Sequence, residues 1–228
     1  MKSITDLQNY FQDSIDAFQM HDEPKNLNSP VNYIMGLGGK RIRPIFVLAA
    51  CEAFNGNIKR ALDPAMAIEV FHNFTLMHDD IMDEAPLRRG KSTTHMKYDT
   101  NTAILSGDVM LIYAYKLLEK LEGSLFMKIF NIFNHTAVQV CEGQRLDLNF
   151  ETQDKVEIDE YIKMIEYKTA VLLGCSLKVG AYLGNANDSD ANNMYDFGRN
   201  LGVAFQIQDD ILDTYGDQGE FGKKIGGD

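Results

Sequence analysis

The apolar residues of this chain recur with a helical period from one end to the other. Between residues 4 and 20, Ile4, Leu7, Phe11, Ile15 and Phe18 fall three or four apart, the spacing that gathers side chains into one stripe of an α-helix. "RPIFVLAACEAF" continues the pattern after Pro44, a residue suited to a first helical turn because its missing N–H has no partner to lose there. Asp63-Pro64 predicts another start, with Asp63 as N-cap, and that helix runs to about Asp83 before Pro86 ends it. Further helical blocks cover roughly 100–121, 124–149, 158–184 and 188–214, separated by Gly123-Ser124, "FETQDKVE" and "GNANDSD". No segment alternates convincingly as a strand. The expectation is one all-α domain, a helical bundle over residues 1–228.

Composition changes this picture mainly by exclusion. With 228 residues the chain is long enough for a sizeable core, and 45% apolar with 24% charged residues is ordinary for a soluble protein. A net charge of −11 argues against a nucleic-acid partner, which needs basic surface to meet phosphates. No apolar run reaches the length of a membrane span, so any membrane contact is peripheral. The N-terminus is amphipathic and acidic, unlike a signal peptide. Cys51, Cys141 and Cys175 lie far apart, form no CxxC pair, and read as reduced core thiols of a cytoplasmic protein. The last stretch, "GDQGEFGKKIGGD", is a glycine-rich charged loop, and a chain that stops inside a loop is expected to have lost something downstream.

Chemistry is concentrated in two places. Asp79, Asp80 and Asp83 form D-D-x-x-D at the end of an apolar helix, where residues four apart share a face. Like charges at that spacing destabilise a bare helix, and become useful when a hard cation sits between them. Mg²⁺ takes one or two carboxylates, keeps several waters and completes its shell with substrate phosphates. The same pattern recurs as Asp209, Asp210 and Asp213 in "FQIQDDILD". A single such motif in an acidic protein is usually a solvated face. Two of them, each closing an apolar helix, predict a cavity with a carboxylate cluster on each wall and a metal-bridged diphosphate between.

The cations are placed to match. "GGKRIRP" sets Lys40, Arg41 and Arg43 between a glycine pair and a helix N-terminus, a combination that suits a diphosphate, although an ordinary helix entry would look similar. Arg88 and Arg89 follow the first aspartates, either neutralising them or holding a second anion. Lys168-Thr169 places a charge and a hydroxyl within an apolar face. His72 lies two turns before Asp79 on nearly the same face, and Glu69-x-x-His72 has the form of half a di-iron site, without a second copy elsewhere.

"GGKRIRP", "HDDIMD", "RRG", "GD" at 107–108, "GQRLD" at 143–147, "KT" at 168–169, "FQIQDDILD" and "GKKIGGD" together resemble the trans-isoprenyl diphosphate synthases, or polyprenyl synthetases, from about residue 36 onward. The resemblance implies an all-α isoprenoid synthase bundle around a deep cavity, usually a homodimer, with further C-terminal helices missing here. It implies head-to-tail condensation of an allylic diphosphate with isopentenyl diphosphate. On the same ground Asp79, Asp83 and Asp209 hold Mg²⁺, supported by Asp80, Asp210 and Asp213. Arg88, Lys168 and Lys223 meet the allylic diphosphate, and Lys40, Arg43, His72 and Arg89 the isopentenyl diphosphate. Thr169 and Gln206 stand near the reacting carbon. Phe74, with Thr75 beside it, resembles the floor of the short-chain (C15–C20) enzymes; it lies five residues before Asp79, about 7.5 Å along a helix.

Other classes make different demands. A non-catalytic partner subunit typically loses its aspartates, and both triads are intact. A class I terpene cyclase usually carries an Asn/Asp-Ser/Thr-Glu second motif in place of D-D-I-L-D. A di-iron bundle needs a second E-x-x-H.

Overall fold

The structure, a computed structural model, describes residues 2–20 and 23–215. Its elements in chain order are α1 (Ile4–Ala17), α2 (Lys25–Met35), α3 (Ile42–Ala53), α4 (Leu62–Met82), a two-stranded ribbon β1 (Leu87–Arg88) and β2 (Lys91–Ser92), α5 (Thr94–Lys97), α6 (Thr100–Leu118), α7 (Gly123–Phe150), α8 (Ile158–Ile165), α9 (Val171–Leu183) and α10 (Asp188–Tyr215). The all-α expectation holds, with a bundle in which α3, α4 and α9 run through the interior.

Most of the predicted α1 stripe packs, but Ile4, in the first turn, is 65% exposed, and Phe18 is the half-buried C-cap. α1 begins with a reciprocal Ser3–Asp6 capping box and buries Leu7, Phe11 and Ile15, mainly against α3. α9, "VLLGCSLKVGAYL", buries all but two of its thirteen residues between α3 and α10. Phe11, Phe71 and Phe133 are the largest fully buried side chains, each contributing about 1.5–3 kcal/mol by leaving water. No helix among the described residues is long and apolar enough to cross a membrane.

Several expectations need correction. α2 has no counterpart in the periodic reading. Asp63 is not the N-cap of α4: a 3₁₀ turn over Ile58–Ala61 leads in, Ala61 is the cap, and Asp63 sits in the first turn paired with Lys120 at 3.0 Å. A short antiparallel ribbon follows α4, pairing Leu87 with Ser92 and Arg88 with Lys91. Its two-residue turn, Arg89-Gly90, has both φ angles positive, the geometry that suits the twist of a hairpin. The block read as 158–184 is interrupted by a π-helical turn at Glu166–Ala170. Cys51 and Cys175 are buried, but Cys141 is exposed on α7 and is no core thiol.

Candidate active site

A cavity of about 430 Å³ lies between α4, α7 and the π turn, a size usual for small-molecule sites. α4 lines it with two stripes. His72, Thr75 and Asp79 form one, and Phe74, His78 and Met82, each four apart, form the other. α7 faces them with Val140, Cys141, Gln144 and Leu148; Arg43 enters from α3, Lys168 and Thr169 from the π turn, and Leu172 from α9. The walls are therefore largely hydrocarbon, with charge confined to a few groups.

Asp79 lies in the last turn of α4 and Asp83 is its C-cap. This is the negative end of the helix dipole, where three carboxylates are disfavoured unless cations come to them. Two do. From β1, Arg88 donates Nε to both oxygens of Asp80 at 2.8 and 2.9 Å, with Nη2 at 2.8 Å from Asp80 and 3.8 Å from Asp79. Lys168 Nζ lies 2.5 Å from Asp147 and 3.7 Å from Asp79. Burial pushes the Asp79 carboxyl above the usual range despite Lys168 and Arg88. Burial, and then Asp79, push Asp83 up to about 6. Burial alone would lower the Lys168 ammonium, but Asp79 and Asp147 hold it above the ordinary lysine value.

One oxygen of Asp79, Oδ1, is buried with no hydrogen-bond partner. This oxygen, met by the Lys168 ammonium at 3.7 Å but by no hydrogen-bond donor, suits a hard divalent cation. Among the described residues no three His, Cys, Asp or Glu side chains converge closely enough to hold a metal by themselves. The donor set thus fits an ion that takes few protein ligands and completes its shell with water and substrate oxygens.

Lys168 reaches these aspartates because α7 approaches the π turn at Gly143. A Cβ there would overlap the amide nitrogen of Lys168 and stand 2.6 Å from the Tyr167 carbonyl carbon. One turn along α7, Asp147 receives the ammonium. The wide π turn aims Lys168 and Thr169 toward the cavity, and such bulges are frequent at functional sites. Thr169 Oγ1 donates to Gln206 Oε1 at 3.1 Å, Gln206 Nε2 donates to Asp210 Oδ1 at 2.8 Å, and Tyr161 donates its hydroxyl to Asp210 Oδ2 at 2.5 Å. Asp209 is half-buried beside Asp210 on α10. The side chain of Asp213 and the whole of Lys223 lie outside the described residues.

The cationic end separates residues that the sequence grouped together. Arg41 is buried and committed inward: Nη1 meets Glu69 Oε1 at 2.5 Å and Nη2 the Met35 carbonyl at 2.6 Å. Glu69 also accepts from Asn73 at 2.9 Å, so it serves an internal ion pair, and the E-x-x-H reading fails. Arg43 Nη1 lies 3.1 Å from His72 Nε2. Arginine can only donate, so His72 accepts through Nε2. Burial, then Arg43 and its neighbours, hold the imidazole well below its usual value, and it is neutral near pH 7. Burial, with Arg89 nearby and Glu69 opposing, lowers Arg43 to about 10. Arg89 bonds the Gly38 carbonyl, and Lys40 is exposed.

Sequence reasoning left three members of this arrangement without a role: Asp147, Tyr161 and Gln144. Asp147 and Gln144 stood within the quoted "GQRLD", where the four-residue step from Gly143 to Asp147 was the available signal. Tyr161 carried none, because its partner is 49 residues away.

A helical bundle that opens an aspartate, two arginines and a lysine onto a largely apolar cavity suits a substrate with an anionic head and an apolar tail. The chain belongs to the polyprenyl synthetase family, whose model matches residues 24–228. It is 40% identical over 217 residues to a geranylgeranyl diphosphate synthase of Methanosarcina mazei, covering 94% of this chain and 67% of that protein. A crystal structure of a geranylgeranyl pyrophosphate synthase superposes with a TM-score of 0.96 at 48% identity, over 100% of this chain and 70% of the other. A polyprenyl synthase from Caulobacter crescentus, complexed with calcium and isoprenyl diphosphate, superposes with a TM-score of 0.89 at 28% identity, over 99% and 69%. The chain thus spans about two thirds of the length of these proteins.

Proposed function

We propose that the protein is a divalent-metal-dependent prenyltransferase that condenses an allylic diphosphate with isopentenyl diphosphate head-to-tail, ending at a short trans-polyprenyl diphosphate of C15–C20, with C20 favoured by its relatives. The observation that carries this reading is a buried Asp79 oxygen that faces Lys168 without a hydrogen bond, at the charged end of a cavity whose surface is mostly apolar.

Asp79 in the last turn of α4 and Asp83 at its C-cap, with Asp209 of α10, would hold Mg²⁺, and Asp80, Asp210 and Asp213 would support them. Bound there, the ions supply Lewis-acid stabilisation to the departing diphosphate. Lys168, Arg88 and Lys223 bind that diphosphate; Lys168 already sits between Asp79 and Asp147 and needs only to share its remaining proton donors. Lys40, Arg43, His72 and Arg89 bind the diphosphate of the second substrate. Neutral His72 keeps an N–H on Nδ1 for donation, because Nε2 accepts from Arg43.

As the allylic C–O bond breaks, positive charge develops on carbon. The oxygens of Thr169 and Gln206, fixed by their mutual bond, present negative dipole ends to it. Met82, Val140, Leu148 and Leu172 keep water from quenching the cation. The double bond of isopentenyl diphosphate attacks, and the departing diphosphate takes the proton. The Phe74 ring, with Thr75 beside it, ends the space for the tail. We further read the protein as a cytoplasmic homodimer with at most peripheral membrane contact.

The test is incubation with Mg²⁺, isopentenyl diphosphate and, separately, dimethylallyl, geranyl and farnesyl diphosphates, with products identified by mass. A C20 end product is expected, and Phe74→Ala should lengthen it. Absence of any prenyl diphosphate product would overturn the reading.

A further inference from the structure

The second stripe of α4 holds a residue that the condensation itself does not use. His78 precedes Asp79, lines the cavity, and lies one turn above Phe74. Its imidazole meets the phenyl ring edge-to-face, with centroids 4.8 Å apart and planes at 67°. On the opposite side Phe74 contacts Phe71 at 5.7 Å, and Phe71 rests on Phe133 at 5.2 Å. Phe71 and Phe133 are fully buried, so this side of the phenyl ring is fixed by the core. The other side is met by His78.

What fixes His78 comes from another helix. Nε2 lies 3.2 Å from the Ile104 carbonyl on α6; a carbonyl can only accept, so Nε2 carries the proton and donates. The ring occupies the space where residue 107 would carry a side chain. A Cβ built on Gly107 would stand 2.2 Å from Nε2 and 2.6 Å from Cδ2, too close for either to stay. Gly107 is buried on the face of α6 that packs against α4. The imidazole is thus seated in a notch of α6, tethered at one nitrogen and pressed against Phe74 at its edge.

We infer that His78, seated at Gly107 and tethered to the Ile104 carbonyl, is a positioning residue that sets product length by holding the Phe74 ring across the end of the cavity. The inference rests on the proposed prenyl elongation and on Phe74 as its stop. It adds that the stop is a pair of rings anchored in α6. Removing the imidazole leaves Phe74 free to turn toward the vacated notch and lets the tail pass. Filling the notch from α6 drives the imidazole toward the cavity and shortens the space.

Two variants therefore shift the product in opposite directions. In the full chain, His78→Ala is expected to raise the ratio of longer to normal end product about tenfold, the scale on which an apolar pocket discriminates by size. Gly107→Ala is expected to lower the mean length. The double variant should resemble His78→Ala, because the added methyl fits the emptied notch. Loss of packing alone would reduce yield and melting temperature without moving product length in two directions. Phe74→Ala is run beside them. If it lengthens the product while His78→Ala does not, the inference is overturned and the chain-length reading stands. If neither lengthens it, both fall. If Gly107→Ala does not fold, His78→Ala against Phe74→Ala decides alone.

Discussion

Asp79-Asp80-x-x-Asp83 and Asp209-Asp210-x-x-Asp213 share one spelling and are built into the molecule differently. The first cluster closes α4, partly buried, with Arg88 clamped on Asp80 and Lys168 drawn toward Asp79. The second lies on the more exposed α10, and its Asp210 is held by neutral donors, the Tyr161 hydroxyl and the Gln206 amide. A cation pins charge strongly and competes with an incoming metal for the same oxygens. A hydroxyl or amide orients a carboxylate while leaving its charge available. The first cluster is partly neutralised by its cations; the second, which does not line the cavity described above, is oriented by neutral donors. Identical motifs thus sit in unequal electrostatic surroundings.

The largest expected effect separates catalysis from folding at the first cluster. Asp79→Ala should lower turnover by about a thousandfold or more, the scale of losing a main electrostatic stabiliser. The fold should not suffer. Burial raises the Asp79 pKa, which means that its ionised form costs stability near neutral pH, and removing it relieves that cost. Turnover from substrate-saturated assays and melting curves without metal are the two readouts. A drop of melting temperature as large as the loss of activity would make Asp79 a structural residue and erase the contrast.

Much of this contrast was legible in the chain, and its limits are instructive. Helical period located α1, α6, α7 and α10 because each buries one face, while α4, buried on all sides along Pro64–Phe71, was bounded by Pro64 and Pro86. α2 escaped because "KNLNSPVNYIM" carries Pro30 and three asparagines, poor helix formers. It forms by tertiary support: Pro30, Val31, Ile34 and Met35 are buried, and Ser106 on α6 donates to the Leu27 carbonyl at 2.9 Å. The ribbon escaped because two-residue strands have no alternation to detect. Both aspartate triads were visible as spelling. Which of their oxygens meet cations was not, since Arg88 reaches Asp80 only through the turn at Arg89-Gly90, and Lys168 reaches Asp147 only where Gly143 admits the π turn. Arg41 shows the converse: it stood within the cation motif and is spent on Glu69.

Removing the pinning cation should be the next largest change. Arg88→Met leaves Asp80 buried opposite no charge. Breaking a buried ion pair from one side costs about 3–5 kcal/mol, and the partial exposure of Arg88 favours the lower end. For a domain of this size, about 3 kcal/mol corresponds to a melting temperature lower by roughly 6–12 °C. Adding Asp80→Asn should recover most of it, because the uncompensated charge is then gone. An Arg88→Met protein as stable as the parent would mean that the first cluster is not held by its internal cation.

The smallest effect falls on the second cluster. Tyr161→Phe deletes one hydroxyl from Asp210 and nothing else. Because Asp210 is only half-buried and keeps its Gln206 bond, water can take the vacant place, and the stability loss should stay near 0.5–1.5 kcal/mol, about that of one ordinary hydrogen bond. Function should register it in a different variable from Arg88→Met. The metal concentration at half-maximal rate should rise about threefold to tenfold, while the rate at saturating metal changes little, because an oriented carboxylate that turns freely must be re-ordered each time an ion binds. A titration of activity against Mg²⁺ reads this directly. If Tyr161→Phe instead destabilised the fold as much as Arg88→Met does, the second cluster would be held by its donors as firmly as the first is by its cations, and the asymmetry argued from Asp80 and Asp210 would disappear.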